Sequence, residues 1–376
     1  MRIHNNDLQD ALKRIKPIVS GKVYLPILNH VLIESTPSGA VYLYATNLDT
    51  GVRIQLNASL DLDIETEFRR ALPYEALNSF SNSLDATDSI RIRKPIDEHS
   101  YAYIMESVSG SASTRIQTIP AEDFPTFDFY HTPEGHDTGT GENTDINILA
   151  GILYCASADD SRFNLNGIYL DSKTNLLVAT DGHRLATRTI PQVFNQLQTP
   201  VIIPRSGIKH LEVFFKGTSG YIQGYVTAKR IMISNLSRTM VWTCRLMDGE
   251  YPEYNKVIPV DLKETCTLPA KETRKFLKGL NISKKEYEKN KGVTIKSNCS
   301  GINIFRKDSE GNTTTGNFKG TFPEDFEIIL NRNYLVELID HTDNLTLLRQ
   351  SGCSSGGPVA IKSFNGNLDI LMPMRK

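Results

Sequence analysis

Leu177-Val178-Ala179-Thr180-Asp181-Gly182-His183-Arg184-Leu185-Ala186 reads as two apolar strand ends joined by a tight turn. Asp181-Gly182 carries the turn chemistry, because Gly accepts a positive φ and Asp bonds to its own backbone. Thr46-Asn47-Leu48-Asp49-Thr50-Gly51 repeats the plan between the strand patterns Val41 to Thr46 and Gly51 to Leu56, without the His. Working outward from these two turns, a similar order of elements occurs three times, at a period of roughly 120 residues. Such a period belongs to whole domains rather than to solenoid units.

The first copy opens on a helix with Leu8, Ala11, Leu12, Ile15 and Val19 at helical spacing and Asp7 as its cap. Pro73 opens its second helix, with Leu77, Phe80 and Leu84 on one face. The copy closes on Ile119-Pro120-Ala121-Glu122-Asp123-Phe124-Pro125. The second copy has a helix pattern over 146–156, a second helix after Pro204 with Ile208, Leu211 and Phe215, and closes on Met247-Asp248-Gly249-Glu250-Tyr251-Pro252. The third and most diverged copy places helices over 271–280 and 331–341. Strand patterns fill the rest of each copy. Two amphipathic helices with many strands predict an α+β chain, each copy packing its helices on antiparallel sheet. The expected bounds are 1–128, 144–256 and 257–376. Residues 129–143 form a Gly-, Thr- and Glu-rich linker without periodicity, which predicts flexibility.

Composition bounds the function. The 376 residues are 39% hydrophobic and 23% charged, with a net charge of −1. Met1-Arg2-Ile3-His4-Asn5-Asn6-Asp7 carries no apolar h-region, and no apolar run approaches the ~20 residues that span a bilayer. A cytoplasmic protein without a membrane association is expected. Five scattered cysteines, at 155, 244, 266, 299 and 353, form no C-x-x-C pair and predict buried free thiols. A protein gripping DNA through a broad basic surface is normally basic overall. Either DNA is not a partner, or the basic residues are confined to one surface.

No phosphate loop or acidic metal cluster is visible, so neither a metal nor a cofactor is expected; Ser351 to Gly357 is Gly/Ser-rich but lacks the phosphate-loop pattern. Read as chemistry, Asp181 and His183 make an acid–base pair, yet no nucleophile accompanies them, and the sister turn lacks the His. Basic residues recur on the first helices of two copies: Lys13, Arg14 and Lys16, then Lys271, Arg274, Lys275 and Lys278. The second copy places Arg205 and Lys209 on its second helix. A solvated face is the plain reading; recurrence raises a phosphate-facing one. The C-terminus, Leu368-Asp369-Ile370-Leu371-Met372-Pro373-Met374-Arg375, is apolar where chain ends are usually polar. It is either a docked strand or one wall of a binding groove.

Together these residues resemble the beta subunit of bacterial DNA polymerase III, the sliding clamp family, over essentially the whole chain. The markers are Leu25-Pro26-Ile27-Leu28, Pro120 to Pro125, Leu165-Asn166-Gly167, Ala179 to Leu185, Asp248 to Tyr254 and Met372-Pro373-Met374-Arg375. The resemblance implies three similar domains per chain and a head-to-tail homodimer closed into a ring that encircles double-stranded DNA. It implies no catalysis. Partners would be the polymerase III catalytic subunit, the clamp loader, and other polymerases and repair proteins that bind through short peptides. DNA contacts fall by resemblance on Lys22, Arg162, Phe163, Asn164 and Arg205. The partner-peptide groove falls on Leu165, Thr180, Gly182, His183, Arg184, Leu185, Pro252, Val257, Ile370, Met372, Pro373, Met374 and Arg375. The dimer interface falls on Thr114, Ile116, Leu280 and Ile282. The chain departs from the family in a longer linker, in Phe163-Asn164 where two aromatics are usual, and in Lys376 after Arg375. Two other readings stay open: an enzyme built on Asp181 and His183, and a clamp-fold interaction protein that no longer encircles DNA.

Overall fold

The computed structural model describes residues 1–19, 25–59, 67–95, 101–125, 129, 134–280, 292–298, 301–307, 311–339, 344–351, 357–362 and 367–374. Lys22, Ile282, Arg375, Cys299 and Cys353 lie outside them. The chain divides into two compact units: Met1–Ala150 with Pro191–Met247, and Gly151–Ile190 with Asp248–Lys376. Both are α+β, with antiparallel strand pairing.

The first unit holds helices α1 (Asn5–Val19), α2 (Tyr74–Asn82), α3 (Asp145–Ala150) and α4 (Arg205–Phe214). Helix α1 buries Leu8, Ala11, Leu12, Ile15, Ile18 and Val19 and packs against α2 and α4. It begins at Asn5, two residues before the expected Asp7. The Asn5 amide donates to the Ser81 and Asp85 carbonyls, each at 3.0 Å, which fixes the helix start against the end of α2. Helix α3 is shorter than the pattern over 146–156, stopping at Ala150 before Gly151. A five-stranded sheet runs Ala58–Ser59, Arg2–His4, Ser89–Arg93, Ala102–Ser107, Ser113–Gln117. A nine-stranded sheet runs Ile119–Pro120, Arg69–Pro73, His30–Ser35, Val41–Thr46, Thr50–Leu56, Met240–Arg245, Arg230–Asn235, Tyr221–Val226, His136–Glu142. Strand Thr50–Leu56 pairs with Met240–Arg245 from far along the chain, and Trp242 is wholly buried there.

The expected flexible linker is in part a strand: His136–Glu142 pairs along Tyr221–Val226 with a bulge between Asp137 and Gly139. Its glycines misled the composition reading. A side chain at Gly139 would meet the Gln192 carbonyl at 2.7 Å, and one at Gly141 would meet the Val193 nitrogen at 2.7 Å. The glycines let the turn over Gln192–Phe194 lie flat on the strand, where Asp145 accepts the Val193 N–H at 2.9 Å.

In the second unit, α5 (Ala270–Gly279) and α6 (Arg332–Ile339) pack together. Seven of its strands follow the order Gly167–Asp171, Leu176–Thr180, Arg184–Thr189, Leu368–Leu371, Val359–Lys362, Asn344–Gln350, Leu262–Pro269. A four-stranded sheet runs Thr313–Phe318, Gly301–Lys307, Gly292–Asn298, Glu327–Asn331. One device recurs in both units. Arg14 donates to the Phe214 and Lys216 carbonyls at the end of α4, at 2.8 and 2.9 Å. Arg332 donates to the Leu277 and Lys278 carbonyls at the end of α5, at 2.7 and 3.2 Å. Each guanidinium satisfies acceptors that a helix leaves open at its C-terminus. Among the described residues no helix is long and apolar enough to cross a membrane. Cys155, Cys244 and Cys266 are buried free thiols; burial pushes those of Cys244 and Cys266 up to about 12.

Candidate functional site

The turn between Leu176–Thr180 and Arg184–Thr189 is built from its own side chains. Thr180 Oγ1 donates to the Arg184 carbonyl (2.6 Å) and accepts the Gly182 N–H (3.1 Å). Asp181 Oδ1 accepts the N–H groups of His183 and Arg184 at 2.9 and 3.0 Å. Gly182 takes φ +86°, a conformation open to Gly at little cost. The sister turn is the same object with Asn in place of Asp. Thr46 Oγ1 donates to the Thr50 carbonyl and accepts the Leu48 N–H, both at 2.9 Å, and Asn47 Oδ1 accepts the Thr50 N–H at 2.8 Å. The equivalence removes the acid–base pair. Asp181 gives Oδ1 to two main-chain N–H groups and Oδ2 to Arg184 Nε at 3.0 Å, and His183 reaches it only through its backbone.

Arg184, one of the expected groove residues, is also built into the scaffold. It is 9% exposed. Its guanidinium ion-pairs with Asp181 and with Glu337 of α6, and lies 4.2 Å from the Tyr334 ring centroid and 5.5 Å from that of Tyr154. Two carboxylates and two ring faces absorb a buried cation that would otherwise be costly.

The C-terminal strand Leu368–Leu371 docks beside this turn, with Arg184 opposite Leu371 and Leu185 opposite Ile370. A bidentate ion pair fixes the register: Arg188 donates to Asp369 at 2.8 and 3.1 Å, and Asp369 is fully buried. The chain then runs on as Met372-Pro373-Met374. The Met372 N–H donates to the His183 carbonyl and the Met374 N–H to the Ile329 carbonyl, both at 2.9 Å. Behind them lies an apolar cluster of Val178, Leu185, Tyr254 and Ile370, joined by Tyr169, Leu176, Tyr251, Ile258 and Leu368. Tyr169 and Tyr251 stack at 4.6 Å, and Tyr254 donates to Asp171 Oδ2 at 2.7 Å.

Thus the structure brings the turn from Thr180 to Leu185 together with Ile370 and Met372. Of the expected groove residues, Leu165, Thr180, Leu185 and Ile370 are buried, while Gly182, His183, Pro252, Val257 and Met372 are exposed. Tyr154, Tyr169, Arg188, Tyr334, Glu337 and Asp369 were missed. Asp369 carried a signal, being the one charge inside an apolar terminal run.

Of the expected DNA contacts, Arg162, Phe163 and Asn164 lie on the turn Asp160–Leu165, where Arg162 Nη1 donates to the Asp181 carbonyl at 3.1 Å. Arg205 is the first residue of α4 in the other unit. Lys271, Lys275 and Lys278 are exposed on one face of α5, spaced as helical neighbours. Arg14 is instead engaged in holding α4. Thr114 and Ile116 lie on Ser113–Gln117, the last strand of its sheet, with Ile116 buried; Leu280 closes α5 and is buried too.

Known proteins share this arrangement. The sequence profile of the DNA polymerase III beta subunit N-terminal domain matches residues 1–128, and that of its central domain matches 143–253, together more than half of the chain. The beta sliding clamp of Synechocystis is 28% identical over 283 residues, 71% of this chain and 70% of that protein. That of Buchnera aphidicola from Acyrthosiphon pisum is 26% identical over 346 residues, 90% of this chain and 89% of that protein. The fold is that of the Bartonella birtlesii sliding clamp bound to griselimycin, with a TM-score of 0.83 at 22% identity and all of both chains covered. The Bacillus subtilis sliding clamp gives 0.84 at 18% identity, covering 100% of this chain and 98% of that one. The chain therefore belongs to the DNA polymerase III beta subunit family, and is a sliding clamp of DNA replication, a processivity factor rather than an enzyme.

Proposed function

We propose that two copies of this chain, each made of three similar domains, close head to tail into a ring around duplex DNA in the cytoplasm. In this reading the ring tethers the replicative polymerase, the clamp loader and repair proteins by their short peptides. Persistence then comes from topology, so phosphate contacts stay weak and sequence-independent. Exposed Lys271, Lys275 and Lys278 fit that role inside a chain of net charge −1. Lys22, Arg162, Phe163, Asn164 and Arg205 complete the DNA contacts. Edge strands are templates for pairing. Ser113–Gln117 and Thr313–Phe318 each end a sheet, and the first of one chain would meet the region of Leu280 and Ile282 and the second in its partner.

The observation that carries the groove is the docking of Met372 on the His183 carbonyl. It holds an apolar chain end beside the turn, leaving Met372 40% exposed and Val257 44% exposed. Apolar side chains of a partner peptide would anchor there, with His183 as polar rim. Griselimycin on the Bartonella clamp supports a ligand-binding surface on this fold. The test is a chain lacking residues 372–376. By calorimetry it should lose binding of a synthetic peptide carrying one glutamine and two bulky apolar residues, while sedimentation still gives a dimer. Undiminished peptide binding would place the groove elsewhere. Retention of the intact protein on circular but not linear DNA, after loading, tests the ring.

A further inference from the structure

We propose that the open face of the five-stranded sheet is a docking surface for an extended acidic segment of a partner protein. Strand alternation sets up the face. Ile3, Ile90, Ile92, Tyr103 and Met105 are buried, so the residues alternating with them point the other way. The pairing registers arrange these in two rows. Arg2, Arg91 and Glu106 stand opposite one another in the first, and Arg93, Ile104 and Arg115 in the second. Arg2 and Arg115 are exposed, and the side chains of Arg91 and Arg93 remain 34% and 32% exposed. Within the two rows four arginines meet one glutamate. Packing does not call for this. Like charges directly opposite destabilise a sheet, and Arg2 stands directly opposite Arg91. Arg2 makes no ion pair among the described residues. Glu106 answers two arginines at once, accepting from Arg93 Nε and Nη2 at 3.2 and 3.1 Å and from Arg91 Nη1 at 3.4 Å. A cluster of cations that costs stability in the free protein is relieved when an anion covers it.

The geometry selects the class of anion. Glu106 already shows how a carboxylate seats on this face, bidentate on Arg93, which is the pairing that the guanidinium fork suits. Arg91 and Arg93 are two residues apart on one strand, about 6.8 Å, which is also the repeat of alternate side chains in an extended peptide. Ile104 stands half-buried between Arg93 and Arg115 and offers an apolar contact between two charges. Single-stranded nucleic acid is held by aromatic rings that stack its bases, and neither row contains one. An acidic segment with an apolar residue among its carboxylates fits these features. Pairing along the free edge of Ser113–Gln117 would use main-chain groups in the plane of the sheet, so the ring proposed above would leave this face open.

The experiment titrates the full chain by calorimetry, at low ionic strength, with a short synthetic peptide carrying acidic residues at alternate positions and one leucine among them. The wild type should bind it, and added salt should weaken binding. Arg2→Ser should raise the Kd roughly three- to tenfold, as loss of one charge-assisted contact does. Its thermal midpoint should hold or rise, because the like-charge pair with Arg91 is gone. A purely structural arginine would show the reverse, a lower midpoint at the same Kd. Glu106→Gln withdraws the resident carboxylate from Arg93 and should tighten binding severalfold. The chain lacking 372–376 should bind this peptide as the intact chain does, which separates the surface from the groove. No binding by the wild type, or a Kd within twofold of it in Arg2→Ser, overturns the proposal. A short DNA duplex that binds more tightly than the peptide, and is lost in Arg2→Ser, overturns it in favour of a nucleic-acid surface. Peptide binding that appears only when Asp61, Asp63 and Glu65 are replaced by their amides assigns the face to the chain's own acidic run, and overturns it as well.

Discussion

Replacing Asp369 with Asn removes one charge from a buried bidentate pair and leaves its shape. Asp369 has no exposure and Arg188 only 9%, so neither can recover the lost partner from water. In the wild type Arg188 Nη1 and Nη2 each meet a carboxylate oxygen, at 2.8 and 3.1 Å. In Asp369→Asn one oxygen becomes an amide NH2, which faces a guanidinium N–H donor to donor. The remaining positive charge is buried without a counter-charge. Breaking such a pair from one side costs about 3–5 kcal/mol. That is a large part of the ~5–15 kcal/mol that holds a domain folded. For a unit of this size it lowers the melting transition by roughly 6–20 °C. Strand Leu368–Leu371 depends on this register, so Met372 should lose its place on His183 and peptide affinity should fall with stability. Scanning calorimetry and peptide titration measure the two effects. The companion variant Arg188→Met with Asp369→Leu removes both charges and should regain most of the lost stability, because apolar residues of similar volume replace buried pairs well. A loss below about 1 kcal/mol in Asp369→Asn would refute the reasoning.

Gly182→Ala should cost about 1–2 kcal/mol at its φ of +86°, while Leu48→Gly, at φ +78° in the sister turn, should gain up to about 1 kcal/mol; urea midpoints compare them. Burial holds His30 and His210 below the ordinary 6.5, so both favour the folded state only while neutral. Their contribution is complete above pH 6.5 and is lost as the pH falls below it toward the folded values. Melting at pH 8 and 5.5 should show the drop, and His210→Gln should reduce it. Replacing Lys271, Lys275 and Lys278 with Ala should flatten the salt dependence of DNA binding by roughly one unit of slope per lysine that meets a phosphate; an unchanged slope would remove α5 from the DNA surface.

Where the sequence was legible, a local period carried the signal. Leu8, Ala11, Leu12 and Ile15 lie on a 3.6-residue stripe, and all are buried in α1. The turn at Thr180–Arg184 was legible because Asp-Gly dictates its own hydrogen bonds. His136–Glu142 was not, because its glycines serve a contact with residues some fifty positions away and leave no alternation behind. Arg14 was misread for a related reason. A basic residue on a helix or turn looks the same in sequence whether it faces solvent or caps a distant carbonyl, and only the fold decides. The pairs Arg184–Glu337 and Arg188–Asp369 join residues more than 150 positions apart, beyond any window of periodicity.

The proposed groove lies at one of two matching turns, and their side chains account for the choice. The main-chain frames agree: Arg245 N–H donates to the Asp49 carbonyl at 2.8 Å, as Met372 N–H does to His183 at 2.9 Å. The registers agree as well, Gly51 opposite Thr243 where Leu185 stands opposite Ile370. The side chains differ. At the first turn the apolar pair is replaced by a glycine and a threonine, and Arg230 covers the place, donating to Thr243 Oγ1 at 3.2 Å and to the Asp49 carbonyl at 2.9 Å. At the second turn Leu185 and Ile370 build apolar floor with Val178 and Tyr254. An apolar peptide side chain gains by burial on that floor at about 25 cal/mol per Å². On the first it would have to displace an arginine from two hydrogen bonds and bury polar atoms unpaired, which opposes binding. The backbone of the repeat supplies two candidate sites, and the residues at two paired positions, Gly51 with Thr243 and Leu185 with Ile370, together with Arg230, select between them.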